Sequence, residues 1–399
     1  MQFSPTVFSS LLKPINRRQF DASVSRHKGD AYAKRLSSWE HFVALVYAQV
    51  SGADSLRAIS TGFNAQSHQH YHLAARPVAR ATLSDANARR SPAIFTDLLG
   101  QLIAQLNRKA RKDADFAMRM IDSTPIPLGK RFACAAYNGR INGLKLHVLF
   151  DPETPSPLHT DITPANLNDV SFRDQVPLEA GMTYVFDKGY CHYAWWSEIH
   201  AAGAFFVTRP KANAQWTIIE TRVVTPSPTS KDDGFIVLAD HDVVSASQGS
   251  KARKFTIPMR LITIKRADGN TLKLITNDKS SSARDMALCY KARWSIELFF
   301  KWIKQNLNLS RFIGRSENAV RLQIIVAMIA FVLIQIARKA IQAPLSTQRF
   351  RQLIAAFLPT RRSLNNLEKP PPINPTKHKP KLRYQDPNQA SLDWNIKSD

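Results

Sequence analysis

The sequence predicts a mixed α/β fold, with a sheet flanked by helices on both faces, an all-helical N-terminal segment and a β-rich insertion. Three observations predict it. Apolar residues recur at helical spacing through the first part of the chain. From about residue 113, short runs of β-branched and aromatic residues take over, first strand after strand and then strand alternating with helix. Between 211 and 280 strands again follow one another, before helical spacing returns at Ala283.

In the N-terminal segment, Ser37 and Glu40 form a capping box, and Trp39, Phe42, Val43, Val46 and Val50 follow on one helical face until Gly52. Asp54 is expected to cap a short helix from Ser55 to Thr61, stopped by Gly62. A polar loop with alternating His68, His70 and His72 comes next; lacking a nearby cysteine or fourth ligand, it reads as a surface loop and not a zinc site. Val78 to Arg90 is a further helix. Ser91-Pro92 opens a longer one, with Ile94, Phe95, Leu98, Leu99, Leu102, Ile103 and Leu106 on one side. Short helices followed by a basic one carrying Arg80, Arg89 and Arg90 suit a DNA-reading bundle, although a helical dimerisation domain has the same appearance.

Strands are expected over Phe116 to Ile121, Leu144 to Phe150, Leu158 to Thr163 and Thr183 to Phe186, and, after a helix through Trp195, Trp196 and Ile199, over Ala204 to Thr208. The tryptophans read as packing residues. In the insertion the strand-like stretches are Thr217 to Val224, Phe235 to Leu238, Leu261 to Lys265 and Leu272 to Thr276, the last two joined by an Asp268-Gly269 turn. Helix is expected from Ala283 to about Asn306 and from Glu317 to Ala340. The expected organisation is a helical DNA-binding segment (1–112), a first part of the α/β core (113–210), the insertion (211–280), a helical completion of the core (281–345) and a basic, Pro-rich tail (346–399), most marked from Lys369.

Fifty-five Lys and Arg stand against 31 Asp and Glu, a net charge of +24. Such an imbalance points to a polyanionic partner, because cations that neutralise phosphates release their counterions. The basic residues include Arg17-Arg18, Arg89-Arg90, Arg108 to Lys112, Arg361-Arg362 and Lys377 to Arg383. Cys134, Cys191 and Cys289 are too scattered for a disulfide framework or a zinc pattern, so a reducing, cytoplasmic setting is expected. No signal peptide is legible at the N-terminus. The apolar run Ile324 to Ile334 is shorter than the roughly 20 residues that cross a bilayer, and no membrane partner is expected.

The sharpest chemical signal surrounds Glu297. Tyr290, Arg293, Glu297 and Lys304 are separated by two, three and six residues. On a continuous helix at 100° per residue, all four lie within about 60° of one another. The neighbouring stripe, Cys289, Ile296, Phe299, Phe300 and Ile303, would bury. A carboxylate between cations on an anchored helix suits a phosphodiester site, where the acid binds metal and the cations meet phosphates. An amphipathic helix with an ordinary Arg293–Glu297 ion pair has the same pattern. Asp122 and Asp187 each follow a predicted strand, and carboxylates at the ends of neighbouring parallel strands face a common crevice. With Glu297 they could hold two hard cations roughly 4 Å apart, which activate the attacking oxygen and stabilise the leaving one. Asp151 also ends a strand and is the obvious decoy. His147 and His159 lie in strands and read as hydrogen-bonded core residues. Ser123 has no legible His and Asp partners for nucleophilic chemistry.

These motifs resemble the DDE transposases of the insertion-sequence-four family. The Tyr290, Arg293, Glu297, Lys304 signature is complete. Ile121-Asp122-Ser123-Thr124 and Phe186-Asp187-Lys188-Gly189-Tyr190 accompany it in the family's order, as does Gly143-Leu144-Lys145-Leu146-His147. The resemblance implies an RNase H-like core and a catalytic, metal-holding set of Asp122, Asp187 and Glu297. It implies two Mg²⁺ ions, with Mn²⁺ able to replace them, and phosphate contacts by Tyr290, Arg293 and Lys304. Lys301, Arg209 and Lys211 are further DNA-contact candidates. It also implies binding to terminal inverted repeats and target DNA by a homodimer, cut-and-paste transfer near the prokaryotic nucleoid, and in related enzymes a hairpin intermediate with a base stacked on a tryptophan, for which Trp216 is a candidate. The alternatives are an RNase H-like nuclease without strand transfer and a transposon-derived DNA-binding protein without catalysis.

Overall fold

The computed structural model describes residues 5–31, 33–107, 117–129, 132, 134–153, 156–224, 234–246, 255–307 and 311–369. The basic run at 108–112, Phe116 and the Pro- and Lys-rich stretch at 370–399 lie outside the described residues. The N-terminal helices are α1 (Val7–Leu12), α2 (Arg17–Arg26), α3 (Ser38–Ser51), α4 (Leu56–Asn64), α5 (Arg80–Arg89) and α6 (Ala93–Asn107). Strands β1 (Met118–Pro127), β2 (Ala136–Tyr137), β3 (Asn142–Asp151), β4 (Ser156–Pro164) and β5 (Thr183–Phe186) follow, then α7 (Tyr193–Ala201) and β6 (Phe205–Thr208). The insertion supplies β7 (Trp216–Thr221), β8 (Phe235–Ser245), β9 (Met259–Arg266) and β10 (Thr271–Thr276). Helices α8 (Ala283–Ala292), α9 (Trp294–Asn306), α10 (Glu317–Ala340) and α11 (Thr347–Phe357) complete the described chain.

Local chemistry fixes several helix ends as expected. The Ser37–Glu40 capping box is formed on both sides, and Gly52 closes α3 in the left-handed conformation at φ 82°. Others differ. The cap of α4 is Ser55, whose hydroxyl accepts from the Ala58 N–H, while Asp54 pairs with Arg311 at 3.0 Å. Gly62 does not stop α4. It lets the helix pass beneath Tyr47, whose hydroxyl would lie 2.5 Å from any Cβ there. Helices α1 and α2 were not anticipated, being too short for periodicity to register; Thr6 and Asn16 cap them. The three-histidine stretch is a 3₁₀ turn, Ser67–Leu73, and not a plain surface loop. Its His70 is buried, bonded to the Phe63 carbonyl at 2.9 Å and stacked on the Phe63 ring. Arg90 is likewise structural, donating to the Leu36 and Ser37 carbonyls from a buried position.

The strands form one sheet in the order β2-β3-β1-β5-β6-β10-β9-β8-β7, with β4 paired to β3. Only β1–β5 and β5–β6 are parallel pairs among the described strands. The insertion does not leave this sheet, because β10 pairs with β6 and carries β9, β8 and β7 outward from it. Strand β8 runs well past the expected Leu238. Its shift of register between Val237 and Ala239 interrupts the alternation that would have marked it in the sequence. The β9–β10 hairpin turns at Asp268-Gly269 with Gly269 at φ 83°.

Side chains alternate between the two faces. Met120, Val185 and Val207 join one apolar cluster; Ile121, Tyr184, Phe186 and Phe206 join the other, with Trp195 and Trp196 of α7. Helices therefore cover both faces, as in an RNase H-like core. The first cluster also takes in the N-terminal helices, α9, α10 and α11. Helix α10 is long and apolar enough to span a membrane by length and composition, but 83% of its most apolar window is buried inside this fold. Part of the expected tail is folded too. Phe350, Ile354, Leu358 and Leu367 are buried, and the Val7 and Phe8 amides donate to the Thr360 and Leu358 carbonyls. Their apolar spacing is masked in the sequence by neighbouring arginines.

Candidate active site

The register of β1 and β5 puts the two key aspartates side by side. Ile121 pairs with Phe186, and each is followed directly by its aspartate. Met120 and Val185 face the first apolar cluster, so two residues on, Asp122 and Asp187 share that face; a one-residue slip would send one of them to the other side. Asp122 does not end its strand as expected. β1 continues to Pro127 because β3 still pairs with it there, and Asp122 marks only the point where the described β1–β5 pairing stops.

Glu297 approaches from the helices on the same face. The expected single helix is broken at Arg293 into α8 and α9, with 3₁₀-like bonds from the Arg293 amide to the Tyr290 carbonyl and from the Ile296 amide to the Arg293 carbonyl. Ile296, Phe299, Phe300 and Ile303 bury as expected, and Phe299 packs on Phe150 of β3 and Phe331 of α10. The break leaves the Arg293 guanidinium between two acids. One of its terminal nitrogens donates to Asp122 at 3.2 Å and the other to Glu297 at 2.6 Å. Its Nε is buried without an acceptor. Tyr290 is buried beneath this guanidinium and directs its hydroxyl towards Asp187, a long 3.5 Å contact. Arg209, from the turn after β6, holds Asp187 through two nitrogens at 2.6 and 3.2 Å.

Burial pushes the Asp122 carboxyl up to about 6 despite the Arg293 charge, and the neighbouring Asp187 and Glu297 add to the rise. Asp187 goes the other way: burial raises it, but the bonds from Arg209 and the Lys188 amide bring it below the ordinary carboxylate range. Three acids thus face two guanidinium groups, an excess of hard oxygen donors where the parallel β1–β5 pairing stops. Among the described residues, no group of three or more His, Cys, Asp or Glu stands assembled as a metal cage; the charge between Asp122 and Glu297 is supplied by Arg293.

Residues 117–333 match the family described as Transposase DDE domain. The chain belongs to this family of DDE transposases. Among its relatives, y4zB of Sinorhizobium fredii, named as a transposase, is 46% identical over 310 residues, covering 78% of this chain and 85% of the relative. A protein named as the transposase for insertion sequence element IS5377 of Geobacillus stearothermophilus is 30% identical over 247 residues, covering 61% and 63%. Residues 4–76 match a domain of unknown function. A solved piggyBac transposase synaptic complex with hairpin DNA aligns at TM-score 0.47 and 11% identity over 92% of this chain and 82% of that one.

The transposase is therefore a nuclease and transesterase. Its remaining predicted site residues are placed unevenly. Lys304, partly buried, is lowered by burial and forms no ion pair among the described residues. Lys301 and Lys211 are exposed. Arg209 is engaged with Asp187, a role the sequence reading did not assign. The decoy Asp151 lies apart from the aspartate pair: β3 runs antiparallel to β1, so Asp151 emerges beside Arg119, at 3.7 Å, and away from Asp122. Trp216 lies on the outermost strand of the sheet's far edge, whereas Trp294, 60% exposed, follows Arg293 directly and lines a cleft of about 670 Å³ with Tyr290 and Leu298. Two further groups meet on the opposite face: Asp169, which the sequence did not single out and which accepts from Ser123, and Lys145 of the Gly143–His147 motif, its ion-pair partner. Asp169 follows Asn168 in a turn-like stretch, so its only legible signal was that of a loop.

Proposed function

We propose that this transposase is of the insertion-sequence-four type, cutting DNA at element ends and joining the freed ends to target DNA, with Asp122, Asp187 and Glu297 as its catalytic carboxylates. The observation that carries the reading is the adjacency of Asp122 and Asp187 on one face of parallel strands, with Glu297 bound to the same arginine as Asp122. The donor set fits divalent metal. All three groups are carboxylates, and their mutual repulsion adds to the rise of Asp122. They would hold two Mg²⁺, which supply a polarised phosphodiester and an activated attacking oxygen. For them to do so, Arg293 has to turn from the acids, and its unsatisfied Nε suits it to a non-bridging phosphate oxygen. Tyr290 and the partly buried Lys304 would orient the same strand. Trp294 offers an exposed ring to an unstacked base beside the site.

Duplex DNA held by a dimer is the partner in this reading, with the N-terminal helices as its docking surface. Arg57, Arg80 and Arg315 line one cleft between α4, α5 and the segment before α10, and none has a carboxylate partner among the described residues. Such cations meet backbone phosphates. A DNA-acting protein of this composition is expected in the cytoplasm, at the nucleoid.

The test incubates the full chain, Mg²⁺ and labelled terminal-repeat DNA with a target plasmid. Cut ends joined to the plasmid are expected; ends that are cut and never joined would leave a nuclease. Asp122→Ala, Asp187→Ala and Glu297→Ala should each abolish cleavage while DNA binding persists. Undiminished cleavage in all three sinks the assignment of residues.

A further inference from the structure

The Gly143-Leu144-Lys145-Leu146-His147 motif and the turn residues Gly189 and Tyr190 have no role in the proposed chemistry, yet they meet on the opposite face of the sheet. The β1–β3 register sets Lys145 against Pro125 and His147 against Ser123. Gly143 lets β3 run close to β1, since a Cβ there would come within 2.2 Å of the Ile126 carbonyl oxygen. His147 is fully buried and bonded to the Tyr190 hydroxyl at 3.2 Å and to the Thr163 hydroxyl at 2.9 Å. Tyr190 closes the turn that begins at Asp187.

At the centre of this arrangement is Asp169. Its Oδ1 accepts from the Ser123 hydroxyl at 2.7 Å and lies 2.9 Å from Lys145 Nζ. Lys145 is oriented by a second bond, to the Leu167 carbonyl at 2.8 Å. Oδ2 rests against Gly189, where an added Cβ would stand only 2.9 Å away. Ser123 in turn gives its backbone N–H to Asp122 Oδ1 at 2.8 Å. One carboxylate thus touches the residue after Asp122 and the residue two beyond Asp187.

We infer that Asp169 is a positioning residue that sets the Asp122 and Asp187 carboxylates relative to each other from behind the sheet. This rests on the reading of those two residues as catalytic. Neighbouring strands alone fix a backbone spacing of about 4.8 Å; side-chain direction needs groups that lock the residues around it. Asp169 supplies this for both strands at once, and Lys145 offsets the cost of a fourth acid near three others. The requirement for glycine at 189 follows: a methyl group there would displace the carboxylate.

The experiment measures single-turnover cleavage of pre-bound end DNA by the full chain, alongside DNA affinity, thermal melting and Mn²⁺ binding to the protein–DNA complex by electron paramagnetic resonance. Removing a group that orients metal-holding residues typically lowers activity or metal affinity roughly 10–100-fold, and a loss of that size is expected for Asp169→Ala and for Gly189→Ala in both cleavage and Mn²⁺ binding, with DNA affinity unchanged and a cooperative melt, above the assay temperature, retained. The Asp169→Ala/Gly189→Ala double variant should be no slower than Asp169→Ala, because the methyl enters space that the carboxylate has left. Should Asp169→Ala fail to fold, Gly189→Ala and Asp169→Asn carry the same comparison. Parental cleavage and Mn²⁺ binding in these variants, or single effects that multiply in the double variant, overturn the inference. Parental cleavage in Asp122→Ala instead overturns the catalytic reading beneath it.

Discussion

The sheet of this transposase holds two clusters of acids and cations, and they are built to opposite ends. Around Asp122, Asp187 and Glu297 the acids outnumber the guanidinium groups of Arg293 and Arg209, and the side chains are between 14% and 35% exposed. On β8 and β9 the balance is reversed. Asp240 and Asp242 face Arg260, Arg222 and Lys279. Arg260 grips Asp240 through two nitrogens at 2.6 to 3.1 Å, both side chains being almost wholly buried, and gives its remaining nitrogen to the Ser281 and Asp278 carbonyls. Asp278 in turn accepts from Ser280 and Ser281 just ahead of α8. The second cluster is saturated and ties the insertion to the helix that carries Tyr290. The first keeps an excess of acids and an arginine with an unused donor. On the proposed reading of the first cluster as the active site, what separates a site from a strut is incomplete neutralisation, not the presence of ion pairs.

The largest effect that would sharpen this contrast is on stability. Asp240→Ala strands a buried guanidinium and should cost about 3–5 kcal/mol, read as a fall in the denaturation midpoint. Asp122→Asn should leave stability unchanged or raise it, since it removes a charge whose burial is unfavourable. Equal destabilisation by both would erase the distinction.

The pH dependence should also divide the clusters. Asp122 has a folded value near 6 against 3.8 for the free group, so between those values the folded chain binds the extra proton. Stability of the metal-free protein should then fall as pH rises from about 4 to about 6, by on the order of 3 kcal/mol from this group. Asp242 is brought below the ordinary range by Lys279 and Arg222 against the effect of burial, so its contribution is present above the free-group value and is lost on further acidification. Melting curves across pH for Asp122→Asn and Asp242→Asn should lose these opposite slopes one at a time.

Metal gives a further separation. A ligand at 100 times its Kd stabilises the folded state by about 2.7 kcal/mol, so saturating Mg²⁺ should raise the melting temperature, and chelation should restore it. Asp122→Asn should abolish that response, whereas Lys279→Met, in the saturated cluster, should retain it. A response lost equally in both variants would show that metal does not distinguish the two clusters.

The smallest effect concerns binding alone. Replacing Arg57, Arg80 or Arg315 by Gln should each reduce the slope of log affinity against log salt by roughly 1, without sequence preference. An unchanged slope in the triple variant would remove that cleft from the DNA path.

How much was legible varied with how local the cause was. The α3 cap, the Gly269 turn, β5 and the buried stripe on α9 depend on neighbours a few residues away, and their positions were readable. The short α1 and α2 were not, because their stability comes from packing against distant helices and, for α1, from the Thr360 and Leu358 carbonyls. The break at Arg293 was equally hidden. A continuous helix would satisfy the same spacing, and the guanidinium's bonds to Asp122 and Glu297 supply the reason for the turn only once the sheet is in place.

By itself the sequence determined the kinds of groups this protein has to use: the acids, the flanking cations, the apolar stripes and the alternation that assigns each residue to a face. It also determined the family, because the motif spacings are properties of the chain. Only the tertiary structure set Asp122 beside Asp187 and Asp151 apart from both, since strand direction is set by pairing partners far away in sequence. It alone joined Arg209 to Asp187, and Asp169 to both motifs. Backbone preference acts over a few residues, whereas charge and contact act through space, and a catalytic geometry is made from the second kind of relation.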